Sequence, residues 1–287
     1  MRQLHVAGSG AAAGRWAPET EPMTEARRPL PTHIRDLPPF PTTARRDLDD
    51  GLRAVGLSPS PAERRALIDH LRFLLAWSTA VNLTAIRDPR AAVRLHLLDS
   101  LVAVPVVAAS GARRFLDLGS GGGYPGLPVA IATGAEALLV DSVAKKARFL
   151  DVVVDALDLD DRVVAVAARA ERLAERPTDR ERWPLVLARA VAGLGELVEL
   201  AFPLLEVGGS LIAWKRGELE AELAAGERAA DALGGGAVEV RDVGLAGLAT
   251  HVLVVVRKTG PTPAGFPRPA AARRRRPAGG SALVPSG

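Results

Sequence analysis

The residues of this chain best suited to chemistry lie between Asp117 and Asp141. In "FLDLGSGGGYPGLPVAIA", residues 115–132, an apolar run gives way to Gly119, Gly121, Gly122 and Gly123, and apolar spacing then resumes. That reads as strand, tight turn, helix. Glycines take positive φ and let a ligand approach the backbone without meeting a Cβ. The following helix directs unpaired N–H groups and the positive end of its dipole back at the turn. A charged small molecule is expected there. Asp141 closes the next apolar run, "ALLVD", 22 positions after Gly119. That is close to the roughly 20 expected of a carboxylate reaching ribose hydroxyls. Capping a helix that begins near Val143 is its other possible role.

Two glycine grammars compete for the turn. A dinucleotide fingerprint, G-x-G-x-x-G, threads through Gly121, Gly123 and Gly126 but begins late, where the fingerprint starts directly after its strand. The pattern D-x-G-x-G-x-G fits Asp117, Gly119, Gly121 and Gly123, with the acid at the strand end. It is the pattern of seven-stranded S-adenosylmethionine-dependent methyltransferases, and it fits better. Asp141 serves either cofactor.

The elements that must position these residues alternate from residue 113 onward. Strands are predicted at 114–118, 137–141, 163–167, 185–188, 210–214, 237–243 and 251–257, with helices between them except in "GLAGLAT". Five parallel strands followed by a short-loop antiparallel pair imply a doubly wound α/β sheet with a reversed edge. Ligands in such sheets bind beyond the carboxyl ends of the strands. Ahead of the sheet, Ser60, Pro61 and Glu63 form a helix start with a capping box, followed by an apolar stripe through Leu67, Leu71 and Leu74. Asp88 and Pro89 start another helix, with Val93, Leu97, Leu101 and Val104 facing inward. The expected organisation is a disordered extension over 1–44, a helical N-terminal cap over 45–110, a Rossmann-like catalytic domain over 111–259 and a disordered basic tail over 260–287. Met23 offers an alternative start.

Composition narrows the chemistry. The chain has 287 residues and no cysteine, which removes disulfides, thiolate metal sites and a cysteine nucleophile. No uninterrupted apolar run spans a bilayer, and no secretory signal opens the chain; a cytoplasmic, monomeric protein without membrane contact is expected. The net charge is +4, but Arg257, Lys258, Arg268 and Arg273–Arg276 follow the last acidic residue, Asp242, so the body is mildly acidic. The tail is expected to add non-specific attraction for a polyanion. Methylation at pyrimidine C5 generally needs a cysteine nucleophile. Methylation of exocyclic amino groups commonly uses a (D/N)-P-P-(Y/F) turn after the fourth strand, where this chain reads "LVLARAVAG". A ring nitrogen such as guanine N7 remains, with a lone pair, no proton and no need of a general base.

The motifs "VNLTAIRDP", "HLLDSL", "FLDLGSGGGYPGLPVAIA", "LVDSVAKKARFL", "ARAERL", "LARAVAGL" and "WKRG" occur in order over roughly residues 75–218. In these the chain resembles the glucose-inhibited division protein B family, bacterial 16S ribosomal RNA (guanine-N7) methyltransferases. The resemblance covers about residues 50–258. It implies methyl transfer from S-adenosyl-L-methionine to a guanine N7 in 16S ribosomal RNA or the small-subunit particle. Gly119 and Tyr124 would contact the cofactor, Ala170 and Glu171 would approach its adenine, and Asp141 would take the ribose. Arg189 would lie at the cofactor carboxylate or on the RNA side. Arg189 and His96 are the candidates for a catalytic role. His96, Asp99 and Ser100 share a helical face and could orient the guanine; Asn82 and Thr84 are expected to tie a turn together. Lys215 and Arg216 are expected at RNA phosphates, while Lys145, Lys146 and Arg148 read as a solvated helix face.

Overall fold

The structure is a computed structural model and describes residues 29–275 and 278. Seven apolar runs form strands: β1 (Arg114–Leu118), β2 (Glu136–Asp141), β3 (Val163–Ala167), β4 (Trp183–Arg189), β5 (Leu205–Arg216), β6 (Gly235–Asp242) and β7 (His251–Lys258). They make one sheet in the order β3-β2-β1-β4-β5-β7-β6, parallel except for β7, which is antiparallel to both neighbours. The last strand is the reversed one, as expected, but it lies one position in from the edge, which β6 occupies. The chain leaves a gap beside β5, lays β6 at the edge, and folds β7 back into the gap. That places His251, the first residue of β7, opposite Arg216 at the carboxyl end of β5.

The helices are α1 (Thr42–Ala54), α2 (Pro61–Trp77), α3 (Pro89–Ala92), a π-helical turn (Val93–Leu98), α4 (Asp99–Leu101), α5 (Val104–Ser110), α6 (Gly126–Thr133), α7 (Ala144–Ala156), α8 (Ala170–Ala174), α9 (Leu194–Ala201), α10 (Glu220–Ala232) and α11 (Ala270–Arg275). The Ser60–Glu63 capping box forms at the start of α2, and Asp88 caps α3. Val93, Leu97, Leu101 and Val104 are buried as their spacing requires. The run Pro89–Ser110 is long and apolar enough to cross a membrane by composition, but much of it is buried inside the protein. The N-terminal helices share the core, since α2 and α4 pack on α6.

The structure differs from the expected disorder at both ends. Arg72 donates to the carbonyls of Leu37 and Pro38, and Trp77 Nε1 to that of Pro31. Leu37 and Phe40 are buried, and α1 begins at Thr42. Residues 1–28, including Met23, lie outside the described residues. At the other end, Glu181 accepts from Thr262 N, and Arg180 donates to the Phe266 carbonyl. Glu199 on α9 is fully buried, and Arg268 answers it through its backbone N–H, Nε and Nη2 at 2.9, 2.8 and 2.5 Å. Arg273 is also buried, between Glu171 at 2.8 Å and Glu196 at 3.1 Å. A buried carboxylate needs a paired cation, which fixes this part of the tail. The polyanion role expected of Arg273 is thereby corrected: its guanidinium is already engaged. The expectations for Arg276 and for residues 279–287 lie outside the described residues.

Candidate active site

The chain must turn sharply after β1 because the β-sheet ends there and α6 runs back over its face. Gly119, Gly121 and Gly123 take φ of +75°, +57° and +86°, which L side chains rarely adopt. A Cβ on Gly123 would lie 2.6 Å from Leu127 Cδ1 and 2.9 Å from His70 Nε2, so glycine is demanded there twice over. The N–H groups of Gly119 and Ser120 both reach the Val140 carbonyl. Asp117 is wholly buried behind the turn, where Oδ2 accepts from Gly126 N at 3.0 Å. Burial pushes its carboxyl up to about 6. It is a strut of the turn and lies away from the cleft.

Asp141 takes the capping role weighed for it and also ties down the glycine turn. Oδ2 accepts from Gly121 N at 2.9 Å and Oδ1 from Val143 N at 2.8 Å, at the entry to α7. Each carboxylate oxygen retains a second lone pair, so ribose hydroxyls remain within its capacity. Lys146, expected on a solvated face with Lys145 and Arg148, instead lines the cleft with Nζ 3.9 Å from Asp141 Oδ2. Lys145 and Arg148 are exposed as expected.

The cleft holds about 560 Å³ and opens along the carboxyl edge of the sheet, a volume suited to a cofactor-sized ligand. Gly119, Gly121, Tyr124 and Arg189 line it. Gly123 supports the turn from behind, and Ala170 is buried at the start of α8 beyond β3. The Glu171 side chain is taken by Arg273. Tyr124 is buried, stacked on His70 at 4.3 Å, with the Arg189 guanidinium 5.5 Å from its ring centroid. Burial raises its hydroxyl well above the usual tyrosine range, so it stays protonated.

One network spans the mouth of the cleft. Arg189 Nη1 donates to Asp99 Oδ2 at 2.8 Å and to the Leu95 carbonyl at 3.1 Å. His251 Nδ1 lies 2.7 Å from Asp99 Oδ1, and Trp214 Nε1 donates to the Asp99 carbonyl. His96 lies between Arg189 Nη2 at 3.4 Å and Thr84 Oγ1 at 2.9 Å. Burial and the adjacent Arg189 hold His96 down at about 3, and burial holds His70 at about 4. Both rings are neutral near pH 7. His96 thus braces Arg189, with both nitrogens engaged, which does not suit a proton-transfer role. Ser100 was expected to join this face, but its hydroxyl donates to its own helix at the His96 carbonyl. Thr84 ties its turn by accepting from Ile86 N. Lys215 is tethered to Glu222 at 2.5 Å and the Ala192 carbonyl at 2.8 Å, while Arg216 is exposed at the rim. Sequence reasoning missed His251, Trp214 and Glu222. Their only signal was position at a strand end or early in a helix.

A seven-stranded sheet with β7 reversed, and a glycine turn leading from β1 into a cleft over its carboxyl edge, define the seven-stranded methyltransferase class. Residues 63–247 match the family described as rRNA small subunit methyltransferase G. The chain belongs to that family. It is 36% identical over 236 residues to the ribosomal RNA small subunit methyltransferase G of Symbiobacterium thermophilum, covering 80% of this chain and 96% of that one. Its counterpart in Roseiflexus castenholzii is 42% identical over 205 residues, covering 71% and 87%.

Proposed function

We propose that this chain transfers a methyl group from S-adenosylmethionine to N7 of a guanine in 16S ribosomal RNA. The observation that carries the reading is the glycine turn bonded to Asp141 on one side of the cleft, with Arg189 seated on Asp99 across from it. Bound S-adenosylmethionine supplies an electrophilic methyl group on a sulfonium. Gly119 and Gly121 keep side chains out of the floor, Asp141 offers lone pairs to the ribose, and the start of α8 at Ala170, beyond β3, lies on the side proposed for the adenine. Glu171, held by Arg273, contributes through its backbone. Arg189 presents a fixed guanidinium to the donor's carboxylate. N7 brings its own lone pair, so the residues align and electrostatically support the transfer without removing a proton.

Arg216 at the rim suits an RNA phosphate, and the tethered Lys215 shapes the wall behind it. A ribosomal RNA substrate supports a cytoplasmic location for the enzyme. Calorimetric titration tests the cofactor assignment. S-adenosylmethionine should bind and NAD should not; the reverse result removes the reading.

A further inference from the structure

Asp141 and Ala170, proposed above for the adenosine, are buried at the end of β2 and beyond β3, behind the glycine turn that lines the cleft. Beyond Arg189, proposed above for the donor's carboxylate, the β5–β7 side is lined by Trp214, Lys215, Arg216 and His251, which leaves that side for the acceptor base. One polar side chain there has no part in the reading so far. His251 reaches the carboxyl edge because β7 runs backwards. Its Nδ1 meets Asp99 Oδ1 at 2.7 Å, and a carboxylate can only accept, so the proton sits on Nδ1. In the neutral form of the ring the lone pair is at Nε2, which has no hydrogen-bond partner among the described residues. Asp99 cannot swing away: Arg189 holds its other oxygen and Trp214 its carbonyl, and only 4% of its side chain is exposed.

We propose that His251 is a substrate-contacting residue that reads the target base, Nε2 accepting from the N1–H or N2 amino group of guanine, with Asp99 as its positioning residue. This rests on the guanine methylation proposed above. Guanine offers donors at that edge, whereas adenine puts a ring lone pair in place of N1–H, facing the lone pair of Nε2.

Two substitutions separate reading from support. His251→Asn keeps an amide near the Nδ1 position, and with it the Asp99 contact, but removes the group at Nε2. His251→Gln extends an amide to the Nε2 position. Binding of an RNA fragment carrying the target guanine is measured by anisotropy, KM for RNA and for S-adenosylmethionine by methyl incorporation, and S-adenosylhomocysteine affinity by calorimetry. The Asn variant should keep the wild-type melting temperature and S-adenosylhomocysteine affinity, while its RNA Kd and KM rise roughly tenfold, the scale of one lost hydrogen bond. The Gln variant should recover part of that loss. Wild-type RNA binding in the Asn variant, or an equal loss of S-adenosylhomocysteine affinity, overturns the assignment. A wild-type enzyme that methylates no guanine overturns the functional reading beneath it, and that result is separate because it needs no variant.

Discussion

Arg189 Nη1 lies 2.8 Å from Asp99 Oδ2 and so joins the end of β4 to the helix over the cleft mouth. The arginine side chain is 17% exposed and the aspartate 4%. Removing one partner of such a pair leaves an uncompensated charge, at about 3–5 kcal/mol. Asp99→Ala should lower stability on that scale and weaken S-adenosylhomocysteine binding, because Arg189 loses its seat. Urea unfolding and calorimetry check both. A stability within about 0.5 kcal/mol of wild type, typical of a surface change, would contradict the account.

The tail ion pairs make a second prediction. Arg268→Met strands the buried Glu199 and should cost about 3–5 kcal/mol, whereas the double variant Glu199→Leu with Arg268→Met should recover most of it. Deleting residues 260–287 should destabilise the fold in the same way. If the deletion instead leaves the urea midpoint unchanged, the docking of Arg268 and Arg273 is not a feature of the folded protein.

Gly119→Ala tests the turn. A Cβ there would stand 2.6 Å from Val191 Cγ2 on a backbone with φ +75°. Left-handed backbone in a non-glycine residue costs about 1–3 kcal/mol. The variant should melt earlier and bind S-adenosylmethionine more weakly, since Val191 follows the cleft-lining Ala190. Unaltered affinity would show that the turn does not form the floor of the site.

Asp117 sets a pH dependence. Its folded value is raised by burial from the usual 3.8 to about 6. The stability linked to its protonated form is therefore fully present below about pH 3.8 and lost as pH rises through 6. Two units correspond to about 3 kcal/mol. Relative to Asp117→Asn, the wild type should lose about that much between pH 4 and pH 7.5 in urea unfolding. A difference that does not vary with pH would refute the buried, protonatable carboxyl.

The sheet was legible because each strand is an apolar run bounded by glycine, charge or helical spacing; β1 and β3 begin and end where the sequence put them. The glycine turn and Asp141 were legible for the same local reason. The network at the cleft mouth was not. Asp99, Arg189, Trp214 and His251 come from four separate elements, and no spacing links residue 99 to residue 251. The reversed strand that brings His251 to the carboxyl edge was read as an edge strand, which hid the residue. The tail misled because its proline, alanine and arginine content resembles a solvated end, while Glu171, Glu196 and Glu199, which engage it, lie some 70–100 residues earlier.

The central claim is methyl transfer to a guanine ring nitrogen in 16S ribosomal RNA. It is tested most directly by mass mapping of unmethylated small subunits after incubation with the protein and S-adenosylmethionine. The account predicts a single added methyl on one 16S guanine, cleavable by the borohydride and aniline treatment that marks N7-methylguanosine. A methyl group on any other atom or base, or none on the RNA, would contradict it.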